Sequence, residues 1–206
     1  MYIPKNMAIE DDNVIEDFIN EFGFGLLVSP ELEATHLPLV FKRSFQGKGY
    51  LYGHFAKANP QWKELAGTRV LVVFNGPHAY ISPTWYESKP AVPTWNYASV
   101  HCYGKVELLN DFETAKSMDE LVSKYEPILH KRQDIMPSDY KQKLAQGVVG
   151  FKILLDDIQA KEKLGQHRKT ADQSGVYSGL NKSAHLDAKS LARYMQKRKV
   201  GTGLLR

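Results

Sequence analysis

Cysteine is almost absent from this 206-residue chain, where Cys102 stands alone. A single cysteine excludes an internal disulfide and fits a reducing compartment. Long apolar runs are missing as well: none approaches the roughly 20 residues of a membrane-spanning helix. The opening stretch from Met1 to Asn13 lacks the basic, apolar and cleavage-site order of a secretory signal, so a cytoplasmic protein with no membrane partner is expected. There is no G-x-S-x-G elbow, no P-loop and no G-x-G-x-x-G fingerprint, which removes the sequence warrant for acyl transfer, nucleotide hydrolysis and the usual dinucleotide fold. The seven histidines (36, 54, 78, 101, 130, 167 and 185) include no pair two or four apart. With one cysteine, a zinc site would need long-range assembly, and no metal is expected. No internal repeat is visible.

What is present is a 43% hydrophobic chain, enough for one large domain or a domain with an appendage. The formal charge of +4 is unevenly placed: from Lys182 onward seven Lys or Arg face one acid, a net of +6, which leaves the first 181 residues at −2. Basicity is therefore a property of the tail, which reads as a solvated helix, a phosphate-binding arm or an oligomer contact. The densest local signal runs from Phe74 to Gly104, with seven aromatic residues, four prolines and two histidines. Stiffened aromatic segments suit planar ligands because little ordering entropy is left to lose. An aromatic core with a rigid loop fits the same composition.

Periodicity predicts a first helix capped by Asp11 or Asp12, with Val14, Ile15, Phe18, Ile19 and Phe22 on one face and Gly23 ending it. Strands are predicted over Phe24 to Ser29, Thr35 to Lys42 and, after a turn at Gln46-Gly47-Lys48-Gly49, Tyr50 to Phe55. A short helix from Asn59 to Ala66 precedes strands over Arg69 to Phe74, His78 to Ser82 and about Tyr97 to Leu109. Six strands with one brief helical interruption favour a mainly β architecture with peripheral helices, an antiparallel barrel rather than a βαβ sheet. Asp111 and Ser138 are the expected caps of a helical excursion over 111–147. Alternation at Val149, Phe151, Ile153 and Leu155 predicts a returning seventh strand. Beyond Lys161 the chain turns polar and glycine-punctuated until a final helix from Ser183 to Lys199.

The site chemistry concentrates in GHFAKANPQWKEL. Asn59 as cap and Pro60 as first helical residue are favoured placements, and with Lys57 just before them they form either an anion site or an ordinary capped helix beside a solvated lysine. Trp62 either flanks a bound ring or belongs to the core. On the long strand, Tyr97, Ser99, His101 and Tyr103 share one face, and Cys102 lies on the other, as a buried thiol. His101 is a ligand contact or a structural histidine.

Met1-Tyr2-Ile3-Pro4-Lys5, Ala34-Thr35-His36-Leu37-Pro38, Gly53 to Pro60, Phe74 to Tyr86 and Pro93-Thr94-Trp95-Asn96-Tyr97 together resemble the PaiB-like negative transcriptional regulators, in the same order and over roughly residues 1–180. The resemblance implies an FMN-binding split barrel over 1–181, a homodimer, and repression of sporulation and degradative-enzyme genes, with 182–206 as an appended basic helical tail. It implies that Lys57, Thr35 and His36 hold the flavin phosphate, that His54 and Asn59 lie in the same motif, and that Trp95 and Asn96 border the flavin or the dimer seam. Trp62 completes the candidate set. Two stretches depart from the family pattern: Asn6-Met7 stands in place of His-Phe, and Lys163 to Arg168 reads KLGQHR in place of KLSQNR. Three functions follow: repression, either indirect or through DNA contact by the tail; an FMN-dependent oxidoreductase of unnamed small-molecule substrate; and haem binding with His36, His54 or His101 as axial ligand.

Overall fold

A computed structural model describes residues 1–45 and 47–204. Helix α1 (Asp12–Glu21) opens the chain, followed by strands β1 (Phe24–Val28), β2 (Ala34–Pro38), β3 (Val40–Lys42) and β4 (Tyr50–Ala56). A single-turn helix α2 (Trp62–Leu65) leads to β5 (Arg69–Ile81) and β6 (Thr94–Leu108). Helices α3 (Asp111–Tyr125) and α4 (Ser138–Ala145), strand β7 (Val148–Lys163), and helices α5 (Thr170–Lys182) and α6 (Leu186–Arg198) complete it. The strands form one seven-stranded antiparallel sheet in the order β2-β1-β5-β6-β7-β4-β3. This is the mainly β, helix-flanked barrel sheet that the sequence predicts. Among the described residues no helix is long and apolar enough to cross a membrane.

Several boundaries differ from the expected ones. The second predicted strand is interrupted at Leu39, whose N–H donates to the Gly23 carbonyl instead of a ladder partner. The two strands predicted on either side of Asn75-Gly76-Pro77 are one, β5. Its pairing with β1 covers Leu71 to Val73, so Pro77 lies past β1 and its missing N–H removes no bond from that ladder. Asn110, not Asp111, caps α3: its side chain accepts from Glu113 N at 2.9 Å, and the Glu113 carboxylate accepts from Asn110 N at 3.2 Å. Ser138 is the first residue of α4 rather than its cap. Of the predicted glycine turn, Gln46 lies outside the described residues; Gly47 and Gly49 both have positive φ.

The chain divides into two compact units, neither contiguous in sequence. One comprises Met1–Ile15, Asn75–Val100 and Gln159–Arg206; the other Glu16–Phe74 and His101–Ile158. The position expected for a boundary, after residue 181, lies at the C-terminal end of α5, with both flanks in the first unit. In the second unit the pleat of β4 turns Leu51, Gly53 and Phe55 inward and Tyr50, Tyr52 and His54 outward. Leu27, Leu39, Leu51, Phe55, Val72, Phe74 and Phe151 are fully buried there, each contributing roughly 1.5–3 kcal/mol over an exposed position.

In the first unit Ile81, Leu164, Leu180, Leu191 and Met195 are fully buried. Helix α5, unpredicted because Gly175 and Gly179 break helical propensity, uses those glycines as a notch. A Cβ at Gly175 would strike the Trp85 carbonyl, and one at Gly179 the Trp85 ring. Asp172 fastens the same loop by accepting from Ser88 N at 2.8 Å. Gly179→Ala gains about 1 kcal/mol of helix propensity but displaces a rigid indole at a cost of about 1–3 kcal/mol. A lowered denaturant midpoint is expected, and a raised one would show that the notch is not needed.

Candidate functional site

Within the second unit, the turn after β4 gathers four of the eight candidate residues. Lys57 N donates to the Gly147 carbonyl at 2.8 Å and Asn59 N to the Ala56 carbonyl at 2.9 Å, which fixes the turn against the start of β7. Asn59 Oδ1 accepts from Gln61 N at 3.0 Å, but Asn59 is not the cap expected: Gln61 is the N-cap, and it makes no side-chain capping bond. The helix is shorter than predicted, Trp62–Leu65 rather than Asn59–Ala66, so the Asn59 bond closes a turn ahead of it. One turn supplies little macrodipole, so any anion affinity here belongs to side chains. Asn59 Nδ2 donates to Thr35 Oγ1 at 3.0 Å, and that hydroxyl donates to Gln61 Oε1 at 2.5 Å. Gln61, 4% exposed, in turn donates to the Glu33 carbonyl at 2.9 Å.

This network ranks the candidates. The Thr35 hydroxyl proton is committed to Gln61, which makes Thr35 a positioning residue for Asn59. Lys57 is exposed and makes no ion pair among the described residues; with the second Asn59 amide hydrogen it is the donor set left open. Trp62 Nε1 donates to the Lys57 carbonyl at 3.1 Å, which places the indole beside the lysine. His36 is not brought to this cluster: alternation turns it to the face opposite Thr35, where its ring stacks on Phe24 with centroids 5.8 Å apart. His54 also faces outward, in line with Tyr50 and Tyr52 on β4. Gln61, the hub, carries no sequence signal of its own, since nothing in a pattern marks a glutamine for burial.

Burial lowers the pKa of His54 and of His101 below the ordinary histidine value of 6.5. The neutral rings are favoured in the folded chain, so both contribute stability above pH 6.5 that is lost as pH falls below it. Denaturant midpoints at about pH 7.5 and 5.5 are expected to differ, with the difference reduced in His54→Asn; an unchanged difference would remove His54 from this account. On the same strand as His101, Cys102 is fully buried and burial raises its thiol pKa.

In the first unit, Trp95 and Asn96 part ways across β6. Asn96 is 2% exposed, and its amide lies near Gly165. Trp95 is half exposed, its Nε1 donating to His78 Nδ1 at 3.4 Å and its ring meeting Tyr80 edge-on at 6.3 Å. Lys163 Nζ donates to Thr94 Oγ1 at 2.6 Å and to the Trp95 carbonyl at 2.9 Å, and burial lowers its pKa, with Lys161 and Arg168 acting the same way. Lys161 sits 5.2 Å from the Tyr97 ring centroid, and Arg168 lies 4.8 Å over Tyr86. Cations seated on aromatic faces in this way leave further donors for an anion and flat surface for a ring. The KLGQHR stretch, read in the sequence only as a departure, thus joins the Trp95 cluster. No group of three or more potential metal-ligating side chains occurs among the described residues.

Over residues 1–157 the chain matches the family described as "Putative FMN-binding domain". It is 41% identical to the protease synthase and sporulation protein PAI 2 of Bacillus subtilis, over 95% of this chain and 97% of that one. Solved structures similar to it include the FAD and haem binding protein of Mycobacterium smegmatis (TM-score 0.57, 14% identity, 76% of this chain and 73% of that one). The flavocytochrome Anf3 of Azotobacter vinelandii also matches (TM-score 0.55, 13% identity, 79% and 72%). At these identities the likeness establishes the split-barrel fold.

Proposed function

Because the chain belongs to the FMN-binding domain family, we propose that it binds FMN as a cytoplasmic homodimer and acts as a negative regulator of transcription. The observation that carries the flavin reading is the donor set after β4: an exposed Lys57 ammonium with no acid paired to it among the described residues, an Asn59 amide with one hydrogen to spare, and the Trp62 indole hydrogen-bonded to the Lys57 carbonyl. FMN combines a phosphate with a planar ring system, and these residues match both. Lys57 and Asn59 hold the phosphate, Thr35 and Gln61 keep Asn59 in place, and His36 and His54 belong to the surrounding outer face. In the first unit, taken by itself, Trp95 and the cation cluster around Lys163 present a flat, charged surface suited to a ring or to a dimer seam, and Asn96 supports that strand from its buried side. When bound, the flavin supplies electron-transfer capacity, and the protein residues contribute orientation and charge.

The absorption spectrum of the purified protein supplied with either FMN or haem tests this reading. A flavin spectrum retained through gel filtration is the expected result. A Soret band with no retained flavin would transfer the site to haem.

The regulatory reading draws on the relative's name, which ties that protein to protease synthesis and sporulation, and on α6. This helix buries Ala188, Leu191, Ala192 and Met195 and exposes Lys189, Arg193 and Lys197 four residues apart. Such a stripe follows a phosphate backbone. Deleting the tail would remove part of the first unit's core, so charge substitution is the proper test. Replacing all three with glutamine is expected to flatten the plot of log affinity against log salt by roughly 3, at about 0.9 per phosphate contact. An unchanged slope would leave regulation indirect.

A further inference from the structure

The second unit contains a groove of about 670 Å³ between α3 and α4. Ala115, Met118 and Val122, spaced three and four apart on α3, form one wall; Met136, Tyr140 and Leu144 form the other. The volume lies in the range of small-molecule sites, roughly 300–1,000 Å³, and far exceeds the voids that close-packed interiors leave. Around it Phe112 is 80% exposed, Tyr140 52% and Leu144 50%. Large apolar side chains left wet around a concavity are a mark of an interaction site. Two thioethers give the walls a soft, adaptable lining suited to a flexible chain.

The charges around the groove select the ligand. Asp119 is taken by Lys141 at 2.6 Å, so that pair cancels. Asp111 lies in the first turn of α3, where the helix N-terminus offsets an acid. Lys57 also lines the groove and is the cation left without an acid among the described residues. We propose that this groove is a second binding site, for an amphipathic monocarboxylate whose aliphatic body lies between α3 and α4 and whose carboxylate pairs with Lys57. The site does not rest on the flavin reading, although both draw on Lys57.

Calorimetric titration of the full-length protein, with no flavin added, using decanoate and decan-1-ol as probes tests the proposal. Saturable decanoate binding at least about tenfold tighter than decanol, the equivalent of one carboxylate–ammonium contact, is expected, with Lys57→Gln abolishing that preference. Ala115→Trp fills the groove and is expected to remove binding of both probes. Phe112→Glu changes an exposed side chain, leaves the fold intact, and is expected to weaken decanoate several-fold more than decanol. No decanoate binding, equal affinity for the two probes, or decanoate affinity unmoved by both Ala115→Trp and Phe112→Glu would overturn the assignment. Because Ala115 and Phe112 lie outside the residues assigned to flavin, FMN retention by these two variants separates failure of the groove from failure of the flavin site.

Discussion

Lys57→Ala is expected to weaken FMN by about 10- to 100-fold, the span of a lost hydrogen bond to a charged group. The lysine sits on a turn held at both ends by backbone hydrogen bonds, to Ala56 and Gly147, so its substitution should alter the ligand contact and leave the turn in place. Lys57→Arg, which keeps the charge, should retain most of the affinity, whereas Thr35→Val should lose less than Lys57→Ala because Thr35 acts through Asn59. Equal binding by wild type and Lys57→Ala would remove the lysine from the phosphate site. A loss caused by unfolding would appear as a lowered denaturant midpoint, which this exposed position is not expected to show.

The largest expected stability effect lies in the first unit. Glu162, 5% exposed, accepts from Arg198 Nε and Nη2 at 2.9 and 3.0 Å and from the Tyr194 hydroxyl at 3.1 Å. These bonds join β7 to α6. Glu162→Ala strands a guanidinium whose side chain is only 24% exposed and should cost about 3 kcal/mol, at the low end for breaking a buried pair. Replacing both partners, Glu162→Leu with Arg198→Met, is expected to recover most of that loss, because the cost comes from the uncompensated charge. Denaturant unfolding of Glu162→Leu, Arg198→Met and the double variant closes the cycle. Losses that simply add would mean that the contact contributes nothing.

Much of the barrel was legible in the sequence because one face of each strand is buried: alternation at Tyr50 to Ala56 and from Val149 to Leu155 marks β4 and β7 directly. Elements defined by a tertiary fit were not legible. Helix α5 hides behind Gly175 and Gly179, which answer to Trp85 rather than to helix propensity, and β5 hides behind Pro77, tolerated because β1 pairs only its earlier residues. The candidate site divides along the same line. Lys57, Asn59 and Trp62 fall together because they are local to one turn, whereas the separation of His36 from Thr35 follows from strand alternation that the family motif does not encode. The burial of Gln61 and the assembly of Lys161, Lys163 and Arg168 with Trp95 depend on contacts distant in sequence. The tail, read as an appendage from its charge, carries an apolar face that makes it part of a core.

The flavin site is tested most directly by titrating full-length protein into FMN and following flavin fluorescence. Saturable quenching that is reduced in Lys57→Ala and unchanged in Phe112→Glu is the expected result. Fluorescence that stays unquenched with protein in large excess would contradict the assignment of this donor set to FMN.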